Sequence, residues 1–138
     1  IRDGDEVLPC SELMCEISSC LVALFRPALG QITLSTACER MALSACRRRA
    51  LILTAMELVT QTLLQAFDGR SEGQLSVALA PERGGSALLL VEDNGRGWSF
   101  DTKASRRIVS ELANVLVADI SCRRSAMGGT ETRVQFPV

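Results

Sequence analysis

The segment Ala87-Leu88-Leu89-Leu90-Val91-Glu92 reads as a buried strand, and it runs without a break into Asp93-Asn94-Gly95-Arg96-Gly97-Trp98. An acid at the end of a core strand is costly to bury unless something donates to it. Two glycines separated by one residue permit φ > 0 and let the backbone approach a ligand closely. Together they predict a pocket in which the Asp93 carboxylate accepts hydrogen bonds from a bound group while the glycine backbone wraps it. Short Asp/Gly motifs are common, however, and Asn94-Gly95 taken alone fits a tight turn joining two strands of a hairpin. The rest of the chain has to decide between them.

A chain of 138 residues is long enough for one domain with its own core. We expect a single domain over residues 1–138, with residues 1–10 a flexible lead-in. Apolar residues make up 47% but aromatics only 4%, so the core must be built from Leu, Val, Ile, Ala and Met. The formal net charge of −1 carries no basic field, and no nucleic-acid partner is expected. Lys103 is the only lysine, which fits a compositional bias toward arginine. There is no histidine, which removes His-based general bases, the common zinc ligand sets and any phosphohistidine within this chain.

Six cysteines (Cys10, Cys15, Cys20, Cys38, Cys46 and Cys122) include no CxxC pair, so no metal site is expected from them. Thiols buried as small hydrophobes in a reducing cytosol are the expectation, although the even count leaves a disulfide framework open. No run approaches the roughly 18 apolar residues a membrane span needs, and no secretory signal pattern is present. The expectation is a cytoplasmic segment without membrane contact. Because it begins at Ile1, it is expected to be a piece of something longer.

Helical spacing of Leu13, Met14, Ile17, Leu21, Val22 and Leu24 predicts a helix over about 11–25, ended by Pro27 and Gly30. Residues 31–37 alternate and carry β-branched Ile32 and Thr33, which predicts a strand, and 41–44 predicts a short second one. The longest helical pattern covers 46–67, with Leu51, Met56, Val59, Leu63 and Phe67 facing inward and Asp68-Gly69 as its stop. Arg47, Arg48 and Arg49 fall in its first turn, where the helix dipole disfavours cations. Such runs are usually solvated; the alternative is a surface for an acidic or phosphorylated partner.

Leu75, Val77 and Leu79 alternate before the loop 81–85, which leads as a hairpin into the strand 86–92. A helix over about 105–117 carries Ile108, Leu112 and Leu116 as a core stripe, with Val109 and Ala113 beside it. Residues 118–122 and 130–138 close the chain as two strands. Three helices alternating with pairs of strands predict an α/β (α+β) two-layer sandwich, its mixed, mainly antiparallel sheet covered on one face by the three helices.

The helix segment Met56-Glu57-Leu58-Val59-Thr60-Gln61 precedes the Asp93 loop by one hairpin, and Gly128-Gly129-Thr130 precedes the final strand. This ordered set resembles the ATP-binding (catalytic) domain of bacterial sensor histidine kinases, and is most similar to the HWE type, within the Bergerat-fold (GHKL) ATPases that include gyrase and MutL. The resemblance runs from about Leu13 to Val138. It implies the Bergerat fold and ATP with Mg²⁺ as ligands. The implied activity is transfer of the γ-phosphoryl group to a histidine on a separate dimerisation domain, with a response regulator downstream. It also implies site roles. Asp93 accepts from the adenine exocyclic amine, Gly95 and Gly97 let the loop pass over the base, and Thr130 supports the adenine through its hydroxyl or a water. Glu57 matches the catalytic acid near the metal and the reacting phosphate.

The departures from that pattern concern the phosphates. The family usually has Asn where this chain has Gln61, and that Asn ligates Mg²⁺ through its amide oxygen. Gln offers the same oxygen one methylene further out, against a metal that demands near-ideal octahedral geometry. A second glycine motif is expected near 103–105, where this chain has Lys103, Ala104 and Ser105. Lys103 offers a point charge to a phosphate and the helix start at Ser105 favours an anion; an exposed loop cation is the equal alternative for Lys103. The second function consistent with these residues is a degenerate kinase-like domain that binds nucleotide weakly or not at all and works as a protein-interaction or regulatory module in signalling. An anti-sigma-like serine kinase fits the fold, but no residue argues for it.

Overall fold

In the computed structural model, described over residues 10–29, 31–67, 72–98 and 103–138, helix α1 (Cys10–Leu29) leads through β1 (Gln31–Cys38) to α2 (Ala45–Gln65). A hairpin follows, β2 (Glu72–Glu82) with β3 (Ser86–Asp93), then α3 (Lys103–Leu116) and a second hairpin, β4 (Asp119–Arg124) with β5 (Thr130–Pro137). The five strands form one sheet in the order β1-β2-β3-β5-β4. Only β1 and β2 run parallel; every other pair is antiparallel. This is the expected two-layer sandwich with a mixed, mainly antiparallel sheet, with one strand fewer than expected. Most of the lead-in, residues 1–9, and the Asp68-Gly69 stop lie outside the described residues.

The missing strand is 41–44. Met41 and Leu43 are half-buried against the core, which gives the two-residue alternation its apolar look, but no strand pairs with them. Ser44 has another task. It caps α2, with its hydroxyl accepting from the Arg47 N–H at 3.3 Å, so the segment is a connection ending in a helix start. At the other end of β1, α1 runs two residues past Pro27 and stops at Leu29. Its buried face is Met14, Ser18 and Val22, whereas Leu24 is 75% exposed.

The core lies between the helices and one face of the sheet. From the sheet come Leu75, Val77 and Leu79 of β2 and Ala87, Leu89 and Val91 of β3; from α2 come Leu51, Leu58, Val59 and Leu63, with Phe67 just beyond its end. Two threonines sit inside α2 without penalty, because Thr54 donates back to the Ala50 carbonyl at 2.7 Å and Thr62 to Leu58 at 2.8 Å. Cys15, Cys20, Cys46 and Cys122 carry free thiols. The Cys38 thiol points to the Val77 carbonyl at 4.0 Å. No helix among the described residues is long and apolar enough to cross a membrane.

Helix α3 corrects the expected stripe. Leu116 and Val109 are buried and Leu112 is half-buried, but Ile108 is 48% exposed. Steps of four residues drift by about 40° each around a 3.6-residue helix. The face that meets the core is therefore Val109, Leu112 and Leu116, and Ile108 falls off its edge. Beyond Leu116 the chain makes a Schellman-type stop: the Ala118 N–H donates to Ala113 at 2.9 Å and the Val117 N–H to Asn114 at 3.3 Å. That geometry puts Val117 at φ 56°, a region that glycine favours and a β-branched residue resists. Since Val117 is well exposed, Val117→Gly is expected to raise stability by about 1 kcal/mol in chemical denaturation.

The arginine run is in part internal. The Arg47 guanidinium donates to the Leu116 carbonyl at 3.0 Å and to the Pro137 carbonyl, and it lies 5.9 Å from the centre of the Phe136 ring. A cation placed unfavourably at the start of α2 thus serves the carbonyl end of α3, where the dipole favours it. It ties α2, α3 and β5 together.

Candidate functional site: the Asp93 cradle

The strand order explains why Asp93 has company. Because β5 is inserted between β3 and β4, the end of β3 lies beside the start of β5, with Glu92 opposite Glu131. Asp93 thereby meets the Gly129-Thr130 turn, 37 residues on for Thr130. The strand alternation that buries Leu89 and Val91 also turns Asp93 inward, and it is only 1% exposed. β3 leads to α3 rather than into a second hairpin strand, so the tight-turn reading of Asn94-Gly95 does not hold. Asn94 instead extends the β2–β3 ladder, donating its N–H to the Gln74 carbonyl at 3.1 Å and accepting from the Gln74 N–H at 2.7 Å through its side-chain oxygen.

The buried carboxylate is ringed by donors. Oδ1 accepts from the Gly95 N–H at 2.8 Å and more loosely from the Thr130 N–H at 3.4 Å; Oδ2 accepts from the Trp98 indole Nε1–H at 3.2 Å. Hydrogen bonds to a charged acceptor are the strong ones, which is how an acid is held in this position. Two glycines permit this packing, one beside the carboxylate and one against α2. A Cβ on Gly129 would sit 2.0 Å from Asp93 Oδ1, and one on Gly95 would sit 2.2 Å from the Ala66 carbonyl at the end of α2. Gly95 is therefore a packing glycine, which lets the loop dock on α2 where the Arg96 N–H reaches the Ala66 carbonyl at 2.9 Å. Gly97 is a conformational one, at φ 83°.

Thr130 holds the loop. Its hydroxyl accepts from the Trp98 N–H at 2.8 Å and faces the Trp98 carbonyl at 3.4 Å. Asp93, Gly95, Gly97 and Thr130 are thus brought together in one cradle. Glu57 and Gln61 lie on α2, one turn apart. Glu57 lines a groove of about 300 Å³ between α2 and α3, with Leu53, Met56, Thr60, Ile108 and Leu112. The Gln61 Oε1 accepts from Gln65 Nε2 at 2.7 Å, and the Gln65 carbonyl accepts from the Arg96 side chain at 3.2 Å, which connects this row to the Asp93 loop. Lys103 and Ser105 are in the first turn of α3, two residues earlier than expected, and their side chains lie outside the described part of the molecule. No three His, Cys, Asp or Glu side chains among the described residues gather as a metal site.

Sequence reasoning gave no site role to Gly129 or Trp98. The signal for Gly129 was present in the glycine pair before β5. For Trp98 the only signal was a lone aromatic after Gly97, in a chain with 4% aromatics.

A five-stranded mixed sheet under a layer of three helices is a fold that the chain shares with histidine kinase domains. Among solved structures it is similar to the histidine kinase domain of the Erythrobacter litoralis EL346 blue-light activated histidine kinase, at TM-score 0.83 and 22% identity over 96% of this chain. The mycobacterial sensor histidine kinase MprB matches at TM-score 0.66 and 13% identity over 90% of this chain, and Acinetobacter baumannii AdeS at 0.65 and 12% over 88%. The chain spans 62% of the EL346 kinase-domain structure, 43% of the longer EL346 structure and 95% of the MprB structure. No family model and no curated protein matches it in sequence.

Proposed function

We propose that this chain is the ATP-binding domain of a two-component sensor histidine kinase, which presents the γ-phosphoryl group of ATP to a histidine on a separate dimerisation domain. The observation that carries the reading is the Asp93 cradle: a buried carboxylate whose Oδ2 takes the N–H of a flat heteroaromatic ring. The adenine amine is a donor of the same kind. Asp93 is the base reader, and Gly129 keeps a side chain away from its carboxylate. Glu57 and Gln61 offer oxygen donors of the type Mg²⁺ prefers, on one side of α2. Bound there, the metal would neutralise phosphate charge during transfer. The phosphoacceptor domain and a response regulator are the partners, in the cytoplasm.

A second reading keeps nucleotide recognition or a scaffold role without phosphotransfer. It is favoured by the Gln65 donor on the Gln61 oxygen and by an α3 that begins at Lys103 without a glycine motif. Titration calorimetry with ATP and ADP, each with and without Mg²⁺, separates the two. Mg²⁺-dependent ATP binding supports the kinase, metal-independent ADP binding supports the degenerate reader, and no binding removes the nucleotide reading. Gln61→Asn shortens the side chain to the length usual at this position and withdraws the oxygen from Gln65. Mg²⁺-ATP is then expected to bind about tenfold tighter, the worth of one well-placed charged contact; an unchanged affinity would argue against a metal at this position.

A further inference from the structure

We infer that Trp98 is an internal competitor for the Asp93 site: its indole N–H occupies the carboxylate oxygen that a ligand's amine would use, and a bound base exchanges with it. This inference rests on the adenine reading of Asp93 and adds the residue that sets how tightly the site binds. Three observations carry it. The Trp98 donor on Oδ2 is a side chain, whereas the Gly95 and Thr130 donors on Oδ1 belong to the main chain of the cradle. That side-chain donor can leave without disturbing these main-chain contacts. The Trp98 backbone is held separately, through the N–H and carbonyl contacts with the Thr130 hydroxyl, so rotation of the side chain leaves the loop in place. Finally, the indole is flat and half-buried against the core, matching a purine both in shape and in donor chemistry.

An acceptor already satisfied by an intramolecular donor offers a ligand only the difference between two similar hydrogen bonds. The affinity for adenine nucleotides is thereby held down, and release of Trp98 is the step that raises it. Phenylalanine keeps the flat ring and most of its packing but has no N–H to offer. Trp98→Phe is therefore expected to bind ADP about tenfold more tightly than the unaltered chain, the equivalent of one hydrogen bond to a charged group.

Calorimetric titration of both proteins with ADP tests this, with far-UV circular dichroism to establish that the variant is folded. Because Trp98 is the only tryptophan, its emission reports the same event, and ADP is expected to shift the emission of the unaltered chain. Tighter binding by Trp98→Phe together with the emission shift supports the inference. Equal affinity, or weaker binding by the variant, overturns it; the indole would then be a bystander or a stacking platform for the base. Binding by neither protein removes the adenine reading, and this inference falls with it. Binding by the variant alone is the extreme of the expected result.

Discussion

Gly129→Ala is expected to lower the stability of the chain by about 3–5 kcal/mol, combining an overpacked site with the loss of buried hydrogen bonds. The added Cβ would lie 2.0 Å from Asp93 Oδ1, 2.5 Å from the Asp93 carbonyl and 2.8 Å from the Gly95 nitrogen. Two of these atoms are backbone, and the third ends a short side chain that is itself held in place. Oδ1 is pinned by two main-chain donors, and the other two atoms are backbone at the junction of β3 and its loop. The Asp93 carboxylate must therefore withdraw, which strands the Gly95 N–H, or the β5 turn must move and carry Thr130 with it. Gly128→Ala is the control. Gly128 has φ 107° but open space where a Cβ would point, so only backbone strain of about 1–2 kcal/mol is expected. Urea denaturation of the two variants should rank them in that order. A Gly129→Ala chain no less stable than Gly128→Ala would mean that the cradle is looser than described.

Asp93→Asn is expected to weaken ADP binding by at least a hundredfold and to cost about 2 kcal/mol of stability. The amide keeps one acceptor. With its oxygen toward the Gly95 and Thr130 N–H groups, its NH₂ must face the Trp98 indole N–H, donor against donor. Turning the amide round moves the same conflict to the main chain. A ligand amine arriving at Oδ2 would meet that NH₂ as well, so stability and binding fall for one reason. Calorimetry and thermal unfolding of the same preparation read both. A variant that loses stability but binds ADP as before would separate Asp93 from the ligand and leave it a purely structural acid.

The elements that were legible in the sequence are those in which pattern and burial coincide. The alternation of Leu75, Val77 and Leu79 follows the sheet because these three residues share the buried face of β2. The failures have local causes. Met41 and Leu43 cover the core from a connection, and a two-residue alternation cannot distinguish that from a strand. Ile108 belongs to a four-residue series that drifts off the buried face, so it ended on the rim of the groove beside Glu57.

At the site, the residue types of Asp93, Gly95, Gly97 and Thr130 were readable, but their partners were not. The meeting of Asp93 with Gly129 depends on β5 entering the sheet between β3 and β4, which no local pattern encodes. The reason for Gly95 is equally non-local, since its missing side chain makes room for α2 rather than for the loop's own turn. Trp98 was the least legible of all, since its hydrogen bond to Asp93 depends on a side-chain direction.

The Asp93 cradle is proposed to receive an adenine nucleotide. The most direct measurement is a ¹H–¹⁵N correlation spectrum of the labelled chain titrated with ADP. The expected result is saturable shifts at the Gly95, Gly97, Gly129 and Thr130 amides and at the Trp98 indole N–H. Shifts concentrated elsewhere, for instance in the cavity of about 580 Å³ between α1 and β1 that includes Ser19, Thr33 and Leu34, would contradict the claim, as would a spectrum unchanged at millimolar ADP.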